Sequence, residues 1–252
     1  MREKSPQLII TIFVILFVII FCSATLGIAY FLFMGSGDVV SEEREVGDFD
    51  ELVLEGSGNV YITQGDELSL KVEVPEDVLP DITTDVEDST LTLKRKYSDN
   101  RGFFNIDLSW RNEVNYYVTV KDITKLTISG SGLIRSENQL NAANLELIIN
   151  GSGDMDLDVL ASELVVKING SGNIDLSGEI EKQEISIKGS GNYNAKNLKS
   201  KDCEVMISSS GDAHVNVSDN LDIQIDGSGD VTYGGNPEVK QEINGSGSVK
   251  KR

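Results

Sequence analysis

Scarcity closes several routes before any motif is considered. The chain holds one histidine, His214, in 252 residues. A histidine-dependent triad or a multi-histidine metal site therefore has little to work with. Two cysteines, Cys22 and Cys203, cannot make a disulfide framework. Cys22 lies in an apolar run and Cys203 falls on an inward strand parity, so no bond between them is expected. Positive charge is also short. The formal net charge is −19, and residues 35–252 hold 20 Lys and Arg against 40 Asp and Glu. Phosphate backbones would be repelled, which excludes a nucleic-acid partner. Only four prolines interrupt the chain, and its length and 39% hydrophobic content permit one extended domain plus accessories.

Glycine and serine, by contrast, recur in a fixed pattern. From Leu126 to Lys250 one phrase repeats seven times: apolar-x-apolar-x-Gly-Ser-Gly-x-apolar, with Ser209 in place of the first glycine once. The copies include LTISGSGLI, LIINGSGDM, VKINGSGNI and IQIDGSGDV, and an eighth, LVLEGSGNV, lies upstream at Leu52–Val60. Successive central serines are 21, 19, 19, 20, 18 and 18 residues apart. Such a period marks a stacked repeat. Each copy alternates apolar and polar residues, as a strand with one buried face does. The alternation continues through the glycines: Val166, Ile168, Gly170, Gly172 and Ile174 share one parity, and Lys167, Asn169, Ser171 and Asn173 share the other. The pattern predicts a corner at Gly-Ser-Gly with the serine outside and the glycines turned inward. The corner glycines are Gly56, Gly58, Gly130, Gly132, Gly151, Gly153, Gly170, Gly172, Gly189, Gly191, Gly211, Gly227, Gly229, Gly245 and Gly247. A second polar corner is expected near Ser177-Gly178-Glu179 and Asp219-Asn220. Twenty residues cannot bury their own apolar face, but stacked coils can. One ladder would join Ile128, Ile149, Ile168, Ile187, Ile207, Ile225 and Ile243. A second would join Val60, Ile134, Met155, Ile174, Tyr193, Ala213, Val231 and Val249. The fold class is all-β, a parallel solenoid of about 18–21 residues per coil.

The opening FDELVLEGSGNVYITQGDE, Phe49 to Glu67, followed by Gly-Ser-Gly coils, resembles the auto-transporter adhesin head domain (GIN domain) family. The resemblance runs from about Asp48 to Val249. It implies a right-handed, single-stranded parallel β-helix and an adhesin-like role at the cell surface.

The remaining regions read as accessories. Residues 1–7 form a short N-terminus with Arg2 and Lys4. Leu8 to Met34 carry no charge, and 27 such residues exceed the ~20 that span a bilayer. Phe21 and Ile20 before Cys22 argue against a lipoprotein site, and a cleaved signal would have a shorter apolar core. Asp38, Glu42, Glu43 and Glu45 crowd the far side. Charge asymmetry therefore places the N-terminus in the cytoplasm and everything after Gly35 outside, as a single-pass anchor. Residues 35–47 read as an acidic linker. Residues 48–125 hold the first coil and then 74 residues from Ser57 to Ser131, read as irregular coils that cap the stack. Pro75 to Leu79 fits one helical turn. Residues 126–252 are the regular coils.

Lys94 to Arg111 departs from the acidic background, with five basic residues, two acidic ones and the only tryptophan. Tyr97, Arg101, Phe103, Phe104, Trp110 and Arg111 form a candidate binding loop for a glycan or an acidic lipid surface. The competing reading is a hairpin whose aromatics close the cap. Asp154, Asp156 and Asp158 alternate, and Asp175, Asp212 and Asp230 extend an acidic face. In the glycine-rich calcium nonapeptide the ligand sits two places after the second glycine, where Met155, Ile174 and Val231 stand here. That register favours a solvated face over a metal site. The residues call for no cofactor and no catalytic group. The functional expectation is a membrane-anchored binding or display module for an envelope protein or a glycan. A carbohydrate-active β-helix enzyme and a ligand-free envelope spacer are the alternatives.

Overall fold

The computed structural model describes residues 38–96 and 113–252. The chain divides at Val39 into two units, the second of which is Val40–Arg252. The residues described in the second unit form a β-solenoid of about seven turns. Its strands are β1 (Val39–Arg44), β2 (Glu51–Gly56), β3 (Asn59–Gln64), β4 (Ser69–Pro75), β5 (Ile82–Glu87), β6 (Thr90–Arg95), β7 (Asn115–Val120), β8 (Lys125–Gly130) and β9 (Leu133–Ser136). They continue as β10 (Leu140–Ile149), β11 (Asp154–Ile168), β12 (Ile174–Ile187), β13 (Tyr193–Ile207), β14 (Ala213–Ile225), β15 (Val231–Gly235), β16 (Glu238–Ile243) and β17 (Val249–Lys251).

Both aliphatic ladders form in register. Leu54 pairs with Ile128, and the column continues through Ile149, Ile168, Ile187, Ile207, Ile225 and Ile243. Val60 pairs with Ile134, and that column continues through Met155, Ile174, Tyr193, Ala213, Val231 and Val249. The interior members of both are fully buried. Burying one such side chain contributes about 1.5–3 kcal/mol, gained only when a neighbouring coil covers it.

The second corner lies elsewhere than the Ser177-Gly178-Glu179 expectation. β11, β12 and β13 run 14 or 15 residues each and turn midway. The turn is marked by two adjacent outward residues that break alternation: Ser162-Glu163, Glu181-Lys182 and Lys201-Asp202. Gly178 instead sits inside β12, between Val159 and Leu198 in the stack. Its φ of +117° and the Val159 carbonyl beside it account for the glycine. In β14 the turn falls at Ser218 to Asn220, overlapping the expected Asp219-Asn220.

The end of the stack nearest the N-terminus departs from chain order. β6 and β7 pair in parallel with β2 and β3, which pair on their other side with β8 and β9. The coil of β2 and β3 is therefore sandwiched between two later ones. β5 then pairs antiparallel to β6, and β4 antiparallel to β7. A turn closes within the expected Pro75–Leu79 stretch, the Val78 N–H donating to the Pro75 carbonyl at 2.9 Å, and a 3₁₀ turn follows at Leu79–Asp81, where Pro80 pre-sets the backbone. Part of the 35–47 stretch is not a spacer, since β1 pairs with β4. Arg44 fixes it there, donating through Nη1 to the Ile82 carbonyl at 3.0 Å and to Thr84 Oγ1 at 3.1 Å. No helix among the described residues is long and apolar enough to cross a membrane. The expected span, residues 8–34, lies outside them.

Candidate functional site

Three residues after the second corner glycine, each regular coil presents a side chain outward. Pairing aligns these into one row: Tyr61, Arg135, Asp156, Asp175, Asn194, His214, Thr232 and Lys250. Beyond Tyr61 the row continues through Tyr117 and Lys71. None of the ten is buried. The Tyr61 and Tyr117 rings stack with centroids 5.2 Å apart and planes 18° apart. The Lys71 ammonium caps the pile, 4.1 Å from the Tyr117 centroid. Partial desolvation, and then the Glu73 carboxylate, push the Tyr117 phenol above its ordinary pKa. Arg135 Nε donates to Asp156 Oδ2 at 3.1 Å, and Asn194 Nδ2 donates to Asp175 Oδ1. An open groove of about 1180 Å³ follows the aromatic end, between Glu43–Val46 and the tyrosine pair.

A neighbouring row holds this one in place. It contains Asp154, Asn173, Asn192, Asp212, Asp230 and Ser248. Each of these side chains up to Asp230 accepts from the residue one coil later. Asn173 N donates to Asp154 Oδ1 at 2.8 Å, Asn192 Nδ2 to Asn173 Oδ1 at 3.0 Å, and Asp212 N to Asn192 Oδ1 at 3.1 Å. Asp230 N donates to Asp212 Oδ1 at 2.7 Å, and both the N–H and Oγ–H of Ser248 donate to Asp230 Oδ1 at 2.7 Å. The acidic face thus splits into two rows with different work: Asp154, Asp212 and Asp230 stitch coils together, while Asp156 and Asp175 face outward.

This stitching gives stability a pH dependence. The Ser248 hydrogen bonds hold the Asp230 carboxyl below its ordinary pKa, and the Asn244 and then Gln224 side-chain amides do the same for Asp226. A depressed folded pKa contributes stability above the unfolded value, about 3.9, that is lost as pH falls through the folded one. The urea midpoint should therefore hold steady down to about pH 5 and fall below about pH 4. Asp226→Asn with Asp230→Asn should make that fall shallower. An unchanged slope in the double variant would refute the assignment.

The corner serines Ser131, Ser152, Ser171, Ser190, Ser210, Ser228 and Ser246 are all exposed. Ser171 N donates to the Gly151 carbonyl at 2.8 Å, and Ser190 N to the Gly170 carbonyl at 2.9 Å. Of the glycines in a full motif, the second (Gly153, Gly172, Gly191, Gly229) is buried, whereas the first (Gly151, Gly170, Gly189, Gly227) is half-buried. At each of these positions a Cβ would strike the carbonyl oxygen of the coil before. The glycines are thus required by close stacking along the solenoid as well as by the bend.

Tyr97, Arg101, Phe103, Phe104, Trp110 and Arg111 lie outside the described residues. They follow Arg95 and precede Asn115, which pairs with Asn59. Among the described residues, no three His, Cys, Asp or Glu side chains could share a metal ion. His214 is exposed and donates to no serine or carboxylate among them. Burial, and then Glu204, push the Cys203 thiol far above its ordinary pKa, so it stays an unreactive thiol.

Residues 48–237 match the family model described as "Putative auto-transporter adhesin, head GIN domain". The chain belongs to that family. Among solved structures, a putative adhesin from Bacteroides fragilis superposes with a TM-score of 0.76 at 24% identity, covering 86% of this chain and 98% of that one. A putative adhesin from Parabacteroides distasonis gives 0.70 at 23% identity over 86% and 98%. A protein from the same species named a putative lipid binding protein gives 0.64 at 25% identity over 86% and 97%. No curated protein matches the chain.

Proposed function

We propose that this member of the GIN-domain family is a membrane-anchored, non-catalytic module that displays a binding face outside the cell. The carrying observation is the outward row from Lys71 to Lys250, held in register across the stack and stitched by the row beside it. A rigid row of tyrosines, carboxylates and amides offers apolar edges and planar hydrogen-bonding groups at about 4.8 Å intervals. Such groups suit a polyhydroxylated polymer or an envelope protein whose own polar groups repeat. The adhesin name of the family and the uncharged 8–34 stretch support placing this face beyond a single-pass anchor, with the N-terminus in the cytoplasm. Catalysis would need a nucleophile or an acid–base pair held in a water-poor cleft, and the row is open.

Full-length protein in detergent should capture glycans or envelope components from an array and an extract. Tyr61→Ala with Asp156→Ala should reduce capture at least tenfold while leaving the circular dichroism unchanged. Release of reducing sugar from a captured polysaccharide would favour the enzyme instead. Capture indifferent to these changes would move the binding face off this row.

A further inference from the structure

The solenoid carries one recess whose charge opposes that of the molecule. It lies beside the outward row near the last coils, with a volume of about 170 Å³. Lys196, His214 and Arg252 line it, together with Asn216, Thr232 and Tyr233. No Asp or Glu side chain lines it among the described residues, although Asp175 and Asp212 line the adjoining recess that shares Lys196, His214, Thr232 and Arg252. The side chains come from successive coils. Lys196 lies on β13, His214 and Asn216 on β14, Thr232 and Tyr233 on β15. Arg252 follows β17, its N–H donating to the Tyr233 carbonyl at 2.9 Å.

The recess exists because of two departures from the repeat. Lys196 stands at the register shift between β13 and its neighbours, where Asn194 pairs with His214 but pairing with β14 resumes only at Lys199. Gly234 stands opposite Asn216, where a side chain would fill the space. The neighbouring carboxylates, Asp212 of the stitching row and Asp175 of the outward row, each accept a hydrogen bond within the stack: Asp212 Oδ1 from Asp230 N, and Asp175 Oδ1 from Asn194 Nδ2. Lys196, His214 and Arg252 form no ion pair among the described residues, while Lys240 and Lys201 are paired with Asp222 and Glu181.

We infer that this recess binds a phosphate group. A point-charge ammonium, a forked guanidinium, an imidazole and a hydroxyl surround a space several times the ~30 Å³ share of a water molecule. Donors from several coils suit an anion with oxygens on all sides better than a planar carboxylate. The same chemistry covers free phosphate and the phosphodiester of an envelope polymer. The inference goes beyond the display reading: the recess shares His214 and Thr232 with the outward row but involves neither the tyrosine pair nor the anchor, so the Tyr61 and Asp156 variants test the one and the Lys196 and Arg252 variants the other.

His214 makes the test direct, because the chain has no other imidazole and its ring resonances report on this recess alone. Inorganic phosphate added to full-length protein at constant ionic strength should shift those resonances saturably, and equivalent chloride should not. Lys196→Ser and Arg252→Ser should each weaken the phosphate response at least tenfold, Gly234→Val should abolish it, and the remote Lys240→Ser should leave it unchanged. A glycerol-phosphate polymer titrated in parallel distinguishes the sources. A tighter response to the polymer per phosphate assigns the recess to an envelope phosphodiester, and a response to inorganic phosphate alone assigns it to the free ion. A linear response, an equal chloride effect, or indifference to Lys196→Ser and Arg252→Ser would overturn the inference. Retained envelope capture alongside such a failure would leave the display reading intact.

Discussion

Gly172→Ala should cost about 3 kcal/mol or more, and Ser171→Ala beside it less than about 0.5 kcal/mol. A Cβ at Gly172 would sit 1.9 Å from the Gly153 carbonyl oxygen and 2.9 Å from Ile149 Cγ2. Neither obstacle can swing aside, because one is backbone and the other is part of the buried aliphatic ladder. The coils must separate, and hydrogen bonds between them lengthen on both sides of the corner. Gly170 should be more forgiving. Ser209 occupies its position two coils later, so the fold already admits one side chain there. Gly170→Ser should cost about 1 kcal/mol. For a domain of this size the Gly172 loss corresponds to a fall of at least about 6 °C in Tm. A fall for Gly172→Ala no larger than that for Ser171→Ala would mean that the corner relaxes and that glycine is not required for stacking.

The ladders were legible because parity survives the corners. Ile168 and Ile174 share a face in the sequence, and they occupy the two columns in the structure. The outward row is legible too, once the eight copies are aligned on their second glycine: Tyr61, Arg135, Asp156, Asp175, Asn194, His214, Thr232 and Lys250 all stand three residues on. Tyr117 and Lys71 escape that alignment, since neither follows a Gly-Ser-Gly corner. Their place depends on β7 pairing outside β3, a long-range choice that no local pattern encodes. Gly178 misled for a different reason. Glycine signals a turn, but it also permits close approach of backbone within a strand, and here the second role holds. The true second corner is written more quietly, in two consecutive outward residues such as Glu181-Lys182. The phosphate recess was hidden because it arises from a register shift at Lys196 and a missing side chain at Gly234, both deviations from the repeat.

Tyr193 and Gln183 should behave as one unit, the second large effect expected of this core. Tyr193 takes an isoleucine's place in its ladder, between Ile174 and Ala213, and Gln183 lies between Leu164 and Cys203 in another. Both are fully buried. The phenol donates across the core to Gln183 Oε1 at 2.7 Å, Gln183 Nε2 donates to Ser200 Oγ at 2.7 Å, and Ser200 Oγ donates to the Asn216 carbonyl at 3.3 Å. Burial, and then Cys203, hold the Tyr193 phenol well above its ordinary pKa, so it remains a donor at any pH at which the fold persists. Tyr193→Phe leaves a buried amide oxygen without a donor and should cost about 1–3 kcal/mol. Gln183→Leu supplies the residue type found at Leu164 and Leu221, yet it strands the phenol and should cost a similar amount. The double variant removes both partners and presents an aliphatic column beside an aromatic one. It should be more stable than the sum of the single losses predicts, with a coupling of about 1–2 kcal/mol in a urea double-mutant cycle. Losses that add within about 0.3 kcal/mol would show that the two side chains are buried separately and that the chain gains nothing from linking them.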